Sequence, residues 1–311
     1  MDEPQRGDQQ PFDIAKALAN VRTQRDLAAV FDYFGMRPKR RFGQNFLIDH
    51  NLLKFVVRAA EVGPRDLVVD IGCGTGLLTA HLADVAGQVI GVEVDRRLFA
   101  IASRCLAERP NVRLLNLDVL AGKHEMAPEA LEAIREAWAR GDYGALRVVS
   151  NLPYSIASLV VANLLETDLP LAMVVVTVQK EVAERFAATP GHREYGALSV
   201  IVQAHARAEL VRTVPPTVFW PRPQVQSAIA RIVPEAERRR AIRDYDAFRD
   251  VVRGAFGHRR KSLANALGTS RVVADKAAAE ALIERCGIEP SARAESLSVG
   301  QYIELANHLA D

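Results

Sequence analysis

The sequence predicts an α/β protein whose main domain is a doubly wound, mostly parallel sheet, followed by a small all-helical domain. Two observations predict this class. From residue 67 onward, short and nearly continuous apolar runs alternate with amphipathic stretches of helical periodicity, a pattern typical of buried parallel strands joined by crossover helices. After Pro234 the β-branched runs stop, and the chain becomes helical in pattern and rich in charge.

Each predicted element follows from one of these patterns. The apolar runs predict strands at 67–71, 89–94, 112–116, 146–150 and 171–178, with further β-like segments at 209–214 and 227–233. The amphipathic stretches between them, such as 77–86 and 96–107, predict helices. Because residues 1 to about 25 are polar, we expect a mobile N-terminal extension, which we place over residues 1–30. The main domain is then expected over 31–234 and the helical domain over 235–311.

The composition excludes several classes of protein. The net charge of the 311 residues is only +2, so total charge alone does not predict a polyanionic partner. Cys73, Cys105 and Cys286 are odd in number and widely spaced, which predicts neither a disulfide framework nor a metal site. The N-terminus carries no apolar signal, and the longest apolar run, 169–178, is too short to span a bilayer. We therefore expect a cytoplasmic protein with no metal and no membrane partner.

A glycine-rich turn follows the first predicted strand. Gly72, Gly74 and Gly76 form the pattern G-x-G-x-G between that strand and a helix, and glycine lets the backbone approach a ligand closely. The dinucleotide fingerprint would need a glycine where Leu77 stands, which argues against a nicotinamide-dependent oxidoreductase. The turn therefore predicts a nucleotide site of another kind, and the alternative is a tight strand–helix turn without a ligand.

Acidic residues end the next two strands. Glu93 can accept hydrogen bonds from both ribose hydroxyls of a nucleoside, and Asp118 can accept one from an adenine amine. In open α/β sheets ligands bind at the carboxyl ends of the strands, so the two acids and the glycine turn are expected to meet at one site. The alternative interpretation is a pair of incidental surface acids.

A polar loop, Ser150-Asn151-Leu152-Pro153-Tyr154, follows the fourth strand. It suits methylation of an aromatic amine, a poor nucleophile because its lone pair is delocalised into the ring. The side-chain oxygen of Asn151 and a backbone carbonyl in the Leu152–Pro153 stretch can accept the amine protons and favour a pyramidal nitrogen, while Tyr154 can stack on the base. An ordinary turn after a strand is the alternative.

At these motifs the sequence resembles the rRNA adenine N6,N6-dimethyltransferase family. It is most similar to the branch that dimethylates two adjacent adenines near the 3′ end of small-subunit rRNA. The resemblance extends from Arg37 to the C-terminus, and its markers are the glycine turn, the Asn151–Tyr154 loop, and segments 40–47, 178–185, 195–200, 219–227, 256–263 and 293–298.

The resemblance implies a class I methyltransferase sheet of the Rossmann-like kind, with S-adenosylmethionine as cofactor. It implies that Asn45 and Leu47 line the methionine end of the cofactor pocket and that Gly72 and Gly74 lie against the cofactor. Glu93 should then hold the ribose, and Asp118 the adenine amine. Asn151, which also borders the cofactor, and Tyr154 should face the target base, with Phe219 stacked on its other side. The alternative for Phe219 is a core aromatic before a Pro-x-Pro turn.

The sequence departs from the family pattern at a few positions. Asp70 stands where the family usually has Glu, and Gln226 where it usually has Asp. Cys73, Thr75 and Ser150 are also unusual, and residues 120–146 are expected to form an enlarged helical insertion.

Basic residues are concentrated in two places. Between 238 and 271 they number ten against three acids, and residues 37–41 carry four more. Such patches attract phosphates, although a solvated helix face is the alternative for 238–243. The predicted RNA-binding residues are Arg40, Arg41, Arg259, Arg260 and Lys261.

The resemblance and the basic patches together imply small-subunit rRNA within a pre-ribosomal particle as the partner, bound by a monomeric enzyme. Two alternatives stay open besides the oxidoreductase. One is the large-subunit rRNA adenine methylase that confers macrolide resistance, against which the C-terminal markers argue. The other is a ribosome-assembly or transcription factor that keeps the fold without catalysis, against which the intact candidate residues argue.

Overall fold

A computed structural model describes residues 14–21, 23–39, 43–258 and 260–310. Its strands are β1 (Phe46–Leu47), β2 (Asp66–Ile71), β3 (Gln88–Val92), β4 (Val112–Leu115), β5 (Leu120–Gly122), β6 (Glu125–Met126), β7 (Ala145–Asn151), β8 (Leu171–Gln179), β9 (Ala206–Val214), β10 (Phe219–Trp220) and β11 (Ser227–Pro234). Its helices are α1 (Ile14–Ala19), α2 (Gln24–Tyr33), α3 (His50–Ala59), α4 (Leu77–Ala83), α5 (Arg96–Cys105), α6 (Pro128–Arg140), α7 (Ala157–Glu166), α8 (Lys180–Ala187), α9 (Ala197–Gln203), α10 (Ala236–Arg240), α11 (Tyr245–Gly257), α12 (Leu263–Thr269), α13 (Lys276–Arg285) and α14 (Val299–Ala310).

The main sheet confirms the predicted α/β class. Within the described chain its strand order is β4-β3-β2-β7-β8-β11-β9. The five strands from β4 to β8 are parallel, and β11 is antiparallel to both β8 and β9. The strand order turns back at β2, and the carboxyl ends of β2, β3, β4 and β7 share one edge. Ligands bind at such a turning point in open sheets.

Alternation along the strands divides the core between the two faces of this sheet. In β2, Val69 and Ile71 point toward α6 and α7, whereas Val68 packs on the other face with residues of α3 and α4. Successive side chains of a strand point to opposite faces, so a nearly continuous apolar run can fill both layers at once.

Two N-terminal helices lie wholly or partly within residues 1–30, the stretch expected to be a mobile extension. From residue 14, the described part of this stretch forms α1 and much of α2, and Leu18, Val21 and Leu27 are buried in the main core. Thr23 and Asp26 form a capping box at the start of α2. His50 bonds to the Val21 carbonyl at 2.8 Å. The composition suggested disorder, but sparse apolar residues at helical spacing are sufficient to dock these helices.

Residues 120–146 contain a helix between the third and fourth predicted strands, as expected, but they are not helical throughout. They begin with a short hairpin, β5–β6, and continue into α6, where Pro128 occupies the first turn. Ala130, Ile134 and Ala137 of α6 are buried in the main core. This stretch is therefore the crossover between β4 and β7 and covers one face of the sheet.

The C-terminal helices have a core of their own that reaches past the expected boundary at residue 234. Tyr195 and Val200, which belong to the main domain by sequence, are buried in it together with Phe248 and Tyr302. The Tyr195 hydroxyl donates to the Leu297 carbonyl at 2.9 Å. The two predicted domains are thus joined through α9. In the part of the chain that the structure covers, no helix combines the length and apolar character needed to cross a membrane.

Candidate active site at the carboxyl edge of the sheet

One cavity opens where the strand ends meet. Its walls are the glycine turn after β2, the ends of β3 and β4, the loop after β7, and residues 43–46. Most of the predicted cofactor-binding residues line it, namely Asn45, Gly72, Gly74, Glu93, Asp118 and Asn151. The parallel strands and residues 43–46 together bring positions as far apart in sequence as Asn45 and Asn151 into one site.

The glycines of the turn serve protein packing as well as ligand approach. Gly72 and Gly74 have φ values of +71° and +60°. A Cβ on Gly72 would lie 2.9 Å from Pro153 Cδ, and one on Gly74 would lie 3.0 Å from the Phe46 ring. The turn is therefore packed directly against the Asn151–Tyr154 loop and against β1, which adds a second reason for glycine at these positions.

Glu93 is held rigidly at the end of β3. Its side chain is 5% exposed, and its two carboxylate oxygens accept hydrogen bonds of 2.8 Å from the backbone amides of Gly74 and Asp95. Burial raises the pKa of Glu93, and these amides oppose the rise. Because each carboxylate oxygen can accept more than one hydrogen bond, Glu93 keeps capacity for two ribose hydroxyls.

Asp118 lies at the rim of the cavity beyond β4. It is exposed, and its Oδ1 accepts a hydrogen bond of 3.1 Å from the backbone amide of Leu120. The neighbouring Asn116 donates to the Glu93 carbonyl at 2.7 Å, which ties the ends of β3 and β4 together. The two predicted nucleoside acceptors are thus fixed on adjacent strands.

Asn151 carries an incomplete set of hydrogen bonds. Its Nδ2 donates to the Asn45 carbonyl at 2.8 Å, while its Oδ1 is buried and has no partner among the described residues. The bond from Nδ2 fixes which end of the amide is the oxygen. A buried acceptor without a partner costs about 1–3 kcal/mol, so such a group is typical of a site that a ligand completes.

Three predicted residues lie outside the cavity walls. The Tyr154 hydroxyl is hydrogen-bonded to Ser227 of β11, and burial raises its pKa. Leu47 is buried in the main core and borders only a small adjacent void. Phe219 is completely buried, opposite Leu47 in the β1–β10 ladder.

In the structure the Phe219 ring points into the core and does not line the cavity in which the target base is expected. Pairing of β10 with β1 directs the Phe219 ring into the core, in agreement with the alternative interpretation of a core aromatic. The next residue, Trp220, packs against Phe31 and Phe46, with ring centroids 4.9 and 6.4 Å away. No pattern in the sequence had indicated the β1–β10 ladder.

Asp70 is a functional candidate that the sequence indicated only as a departure from the family pattern. It is buried beneath the glycine turn, and Thr79 of α4 donates to its Oδ2 at 2.7 Å. Burial, opposed by the Thr79 hydrogen bond and reinforced by Glu93, raises the pKa of Asp70 to about 7. The available signal was an acid near the end of an otherwise apolar predicted strand, 67–71.

Two of the five predicted RNA-binding residues are among the described residues. Arg260 and Lys261 are exposed in the connection between α11 and α12. Arg40, Arg41 and Arg259 lie outside the described residues.

Several other basic residues of the 238–271 segment serve the fold. Arg239 donates to carbonyls at the end of α7, including that of Glu166 at 2.9 Å. Arg249 pairs with the Glu166 carboxylate, and Arg238 donates to the Gln203 carbonyl at 2.9 Å. These arginines connect the C-terminal helices to the main domain.

A larger cavity, of about 890 Å³ against about 270 Å³, lies on the other side of the glycine turn. Its walls include Lys16, His50, His81 and Arg109. None of the acids and amides predicted to bind cofactor or base lines it. We therefore assign the chemistry to the smaller cavity, where those groups converge.

Comparison with known proteins identifies the family of the chain. The family described as ribosomal RNA adenine dimethylase matches residues 35–311. Proteins named Ribosomal RNA small subunit methyltransferase A from Bacillus cytotoxicus and Bacillus mycoides are 37% and 38% identical to this chain, over 94% of it and 98% of their own length.

Solved structures of the same fold are also similar. A dimethyladenosine transferase from Plasmodium falciparum aligns with a TM-score of 0.65 at 24% identity, over 83% of this chain and 94% of its own. The 23S rRNA methyltransferase ErmE aligns with a TM-score of 0.59 at 25% identity, over 86% of this chain and all of its own. The family match and the sequence relatives confirm the resemblance seen in the motifs, and the chain belongs to the ribosomal RNA adenine dimethylase family.

Proposed function

We propose that this protein transfers methyl groups from S-adenosylmethionine to the exocyclic amines of two adjacent adenines near the 3′ end of small-subunit rRNA. The observation that carries the proposal is the buried, unpartnered Oδ1 of Asn151 in a cavity that also presents Glu93 and Asp118. A nucleoside cofactor accounts for the two acids, and an amine donor accounts for the orphaned acceptor.

The residues that line the cavity fit this cofactor. Glu93 would hold the ribose hydroxyls, Asp118 the adenine amine, and Asn45 with the glycine turn would border the methionine end. When bound, the cofactor supplies a sulfonium-linked methyl as the electrophile. The two carboxylates also favour a ligand whose sulfonium and ammonium groups are cationic.

The chain's own residues would act by orientation. Asn151 Oδ1 accepts a hydrogen bond from the amine. This hydrogen bond turns the nitrogen lone pair out of conjugation with the base. Pro153 cannot supply the second acceptor, because its carbonyl already accepts from the amides of Ile156 and Ala157. We assign that role to the Leu152 carbonyl. Methyl transfer would form a nitrogen–carbon bond as the sulfur–carbon bond of the cofactor breaks, and the alkylated nitrogen would then lose a proton readily to water without a strong base.

The choice of small-subunit rRNA is supported by the relatives that share 37–38% identity over nearly the whole chain. The solved 23S rRNA methyltransferase shares the fold at 25% identity, so a large-subunit substrate is the second candidate. We further propose, as the resemblance of the sequence implies, a monomer acting in the cytoplasm on a pre-ribosomal particle.

Methylation of defined particles tests this proposal. Small-subunit particles, large-subunit particles and free rRNA, all from cells lacking this activity, are incubated with labelled cofactor, and the products are mapped by mass spectrometry. We expect dimethyladenosine at adjacent adenines of the small-subunit RNA. Label in large-subunit RNA alone would favour the second candidate, and cofactor binding without transfer to any particle would favour a non-catalytic factor.

A further inference from the structure

An ion pair beside the cavity is not used by the proposed chemistry. Lys39 Nζ lies 2.6 Å from Asp95 Oδ2, with side chains 37% and 3% exposed. Asp95 precedes α5, and its Oδ1 accepts from the Arg97 amide at 3.0 Å. A carboxylate this deeply buried requires a partner, and Lys39 reaches it from a different part of the chain.

Asp95 is linked directly to the cofactor wall. Its backbone amide donates to Glu93 Oε1 at 2.8 Å, and Glu93 Oε2 accepts from Gly74 at the same distance. A shift of Asp95 would therefore move the group assigned to the ribose.

Lys39 is also linked to the opposite wall. Its backbone amide donates to Gln44 Oε1 at 2.8 Å, and Gln44 lines the cavity and also hydrogen-bonds Asp95. The residue after Gln44 is Asn45, whose carbonyl accepts from Asn151 Nδ2 at 2.8 Å. We call residues 43–47 the wall segment. This segment orients the Asn151 amide through the Asn45 carbonyl, and the Lys39–Asp95 pair connects it to Glu93.

We propose that Lys39 is a positioning residue for methyl transfer: by pairing with the buried Asp95 it seats the wall segment, so that Glu93 and Asn151 are oriented together. This inference rests on the proposed function of the cavity. Lys39 acts through its neighbours and need not contact the cofactor or the base.

The electrostatics of Asp95 supply the reason for a lysine. Burial raises the pKa of Asp95, but hydrogen bonds from Lys39 and the Arg97 amide outweigh it and leave the pKa below its ordinary value. Without Lys39 the buried carboxylate loses its counterion and must take up a proton or turn toward solvent. Either change disturbs the start of α5 and, through the Asp95 amide, Glu93.

A double-mutant cycle tests the pair. Lys39→Met is expected to weaken S-adenosylmethionine binding about tenfold by calorimetry, and to slow single-turnover methylation several-fold even with cofactor and particle saturating. Lys39→Arg should retain most of the cofactor affinity and most of the single-turnover rate, because it keeps the positive charge. Adding Asp95→Asn to Lys39→Met should recover part of the affinity, since no unpaired carboxylate remains and Asn still caps a helix well.

Arg37→Met is the matched control. It removes a positive charge two residues away whose side chain is 80% exposed and pairs with Asp32 on the surface. We expect its cofactor affinity to match that of the wild type. Thermal melting of every variant shows whether the fold is intact.

The outcomes separate this inference from the proposed function. If the wild type binds no S-adenosylmethionine, the proposed function fails. If the wild type binds and methylates, but Lys39→Met has unchanged affinity and single-turnover rate, Lys39 is an ordinary surface cation and the positioning role is overturned. Additive effects of Lys39→Met and Asp95→Asn would overturn it equally, because coupling between the two residues is its central claim.

Discussion

Asn151 carries a buried side-chain oxygen that has no hydrogen-bond partner among the described residues. Asn151→Ala removes the buried acceptor, together with the donor to the Asn45 carbonyl. Losing one preorganised hydrogen-bonding group of this kind typically costs roughly 10²–10³ in turnover. We expect a loss of that size in single-turnover methylation of unmodified small-subunit particles. Cofactor and RNA affinities should change far less, because Glu93, Asp118 and the basic residues remain. Near-normal turnover would show that Asn151 only shapes the turn after the strand and has no part in catalysis.

We expect Glu93 to contribute to binding of the cofactor. Glu93→Ala deletes the proposed ribose acceptor and leaves the amides of Gly74 and Asp95 without their partner. Charge-assisted hydrogen bonds are worth roughly 1.5–3 kcal/mol, so cofactor affinity measured by calorimetry should fall at least about tenfold. Glu129→Ala, which removes an exposed acid from α6, should leave it unchanged. An unaltered affinity in Glu93→Ala would remove the ribose assignment.

Asp70 should give the protein a characteristic pH dependence. Its pKa of about 7 in the folded chain lies above the ordinary 3.8, so between these values the folded state binds a proton that the unfolded state has lost. Stability contributed by this group is therefore full below about pH 4 and is lost as the pH rises toward 7. Asp70→Asn cannot ionise. We expect its melting temperature, relative to wild type, to rise from pH 5 to pH 7 and then level off. A difference independent of pH would contradict the buried, protonated carboxyl.

At the scale of elements, the sequence predicted the features that periodicity determines. The strands of the main sheet were located within a few residues, because each run of β-branched and aliphatic residues fills both sheet faces. The carboxyl-edge acids and Asn151 followed from the strand ends. The β1–β10 ladder was missed because two-residue strands have no periodicity, and with it the burial of Phe219. The Lys39–Asp95 pair joins loops far apart in sequence, which no local pattern encodes.

The junction of α7 with the C-terminal helices offers a test at the same scale. Arg239 donates to carbonyls at the end of α7, groups that have no partner within a helix. Arg239→Ala should lower the free energy of unfolding by about 1–2 kcal/mol, a value discounted for the exposure of this side chain. Arg240→Ala removes the neighbouring exposed arginine, for which no bonded partner is described, and should change stability little. Equal melting temperatures for the two variants would indicate that Arg239 lies on a solvated helix face, which is the alternative that the sequence also allowed.

At the scale of the whole molecule, the basic segment divides into two groups with different tasks. Arg238, Arg239 and Arg249 are bonded to the main domain, so their charges are largely used within the fold. Arg260 and Lys261 are exposed, and their side chains have no ion pair described. The count of basic residues in the sequence therefore overstates the charge available for RNA. Within the described part of the segment, the connection between α11 and α12 still presents cations to a phosphate backbone.

The last prediction concerns this connection. Replacing Arg259, Arg260 and Lys261 together with Ala should weaken binding to small-subunit particles and flatten its salt dependence, by about one unit of logarithmic slope for each phosphate that is no longer bound. Cofactor affinity should stay at the wild-type value, because no residue of the cavity wall lies in this connection. Stability should also be kept, since Ser262 still caps α12 and the buried Leu263 is untouched. Binding is measured across a salt series with the Arg239→Ala variant in parallel, which should lose stability but keep the slope. If the triple variant kept the wild-type slope, the RNA-binding surface would have to lie elsewhere on the molecule, with the basic residues that precede the wall segment as the next candidates.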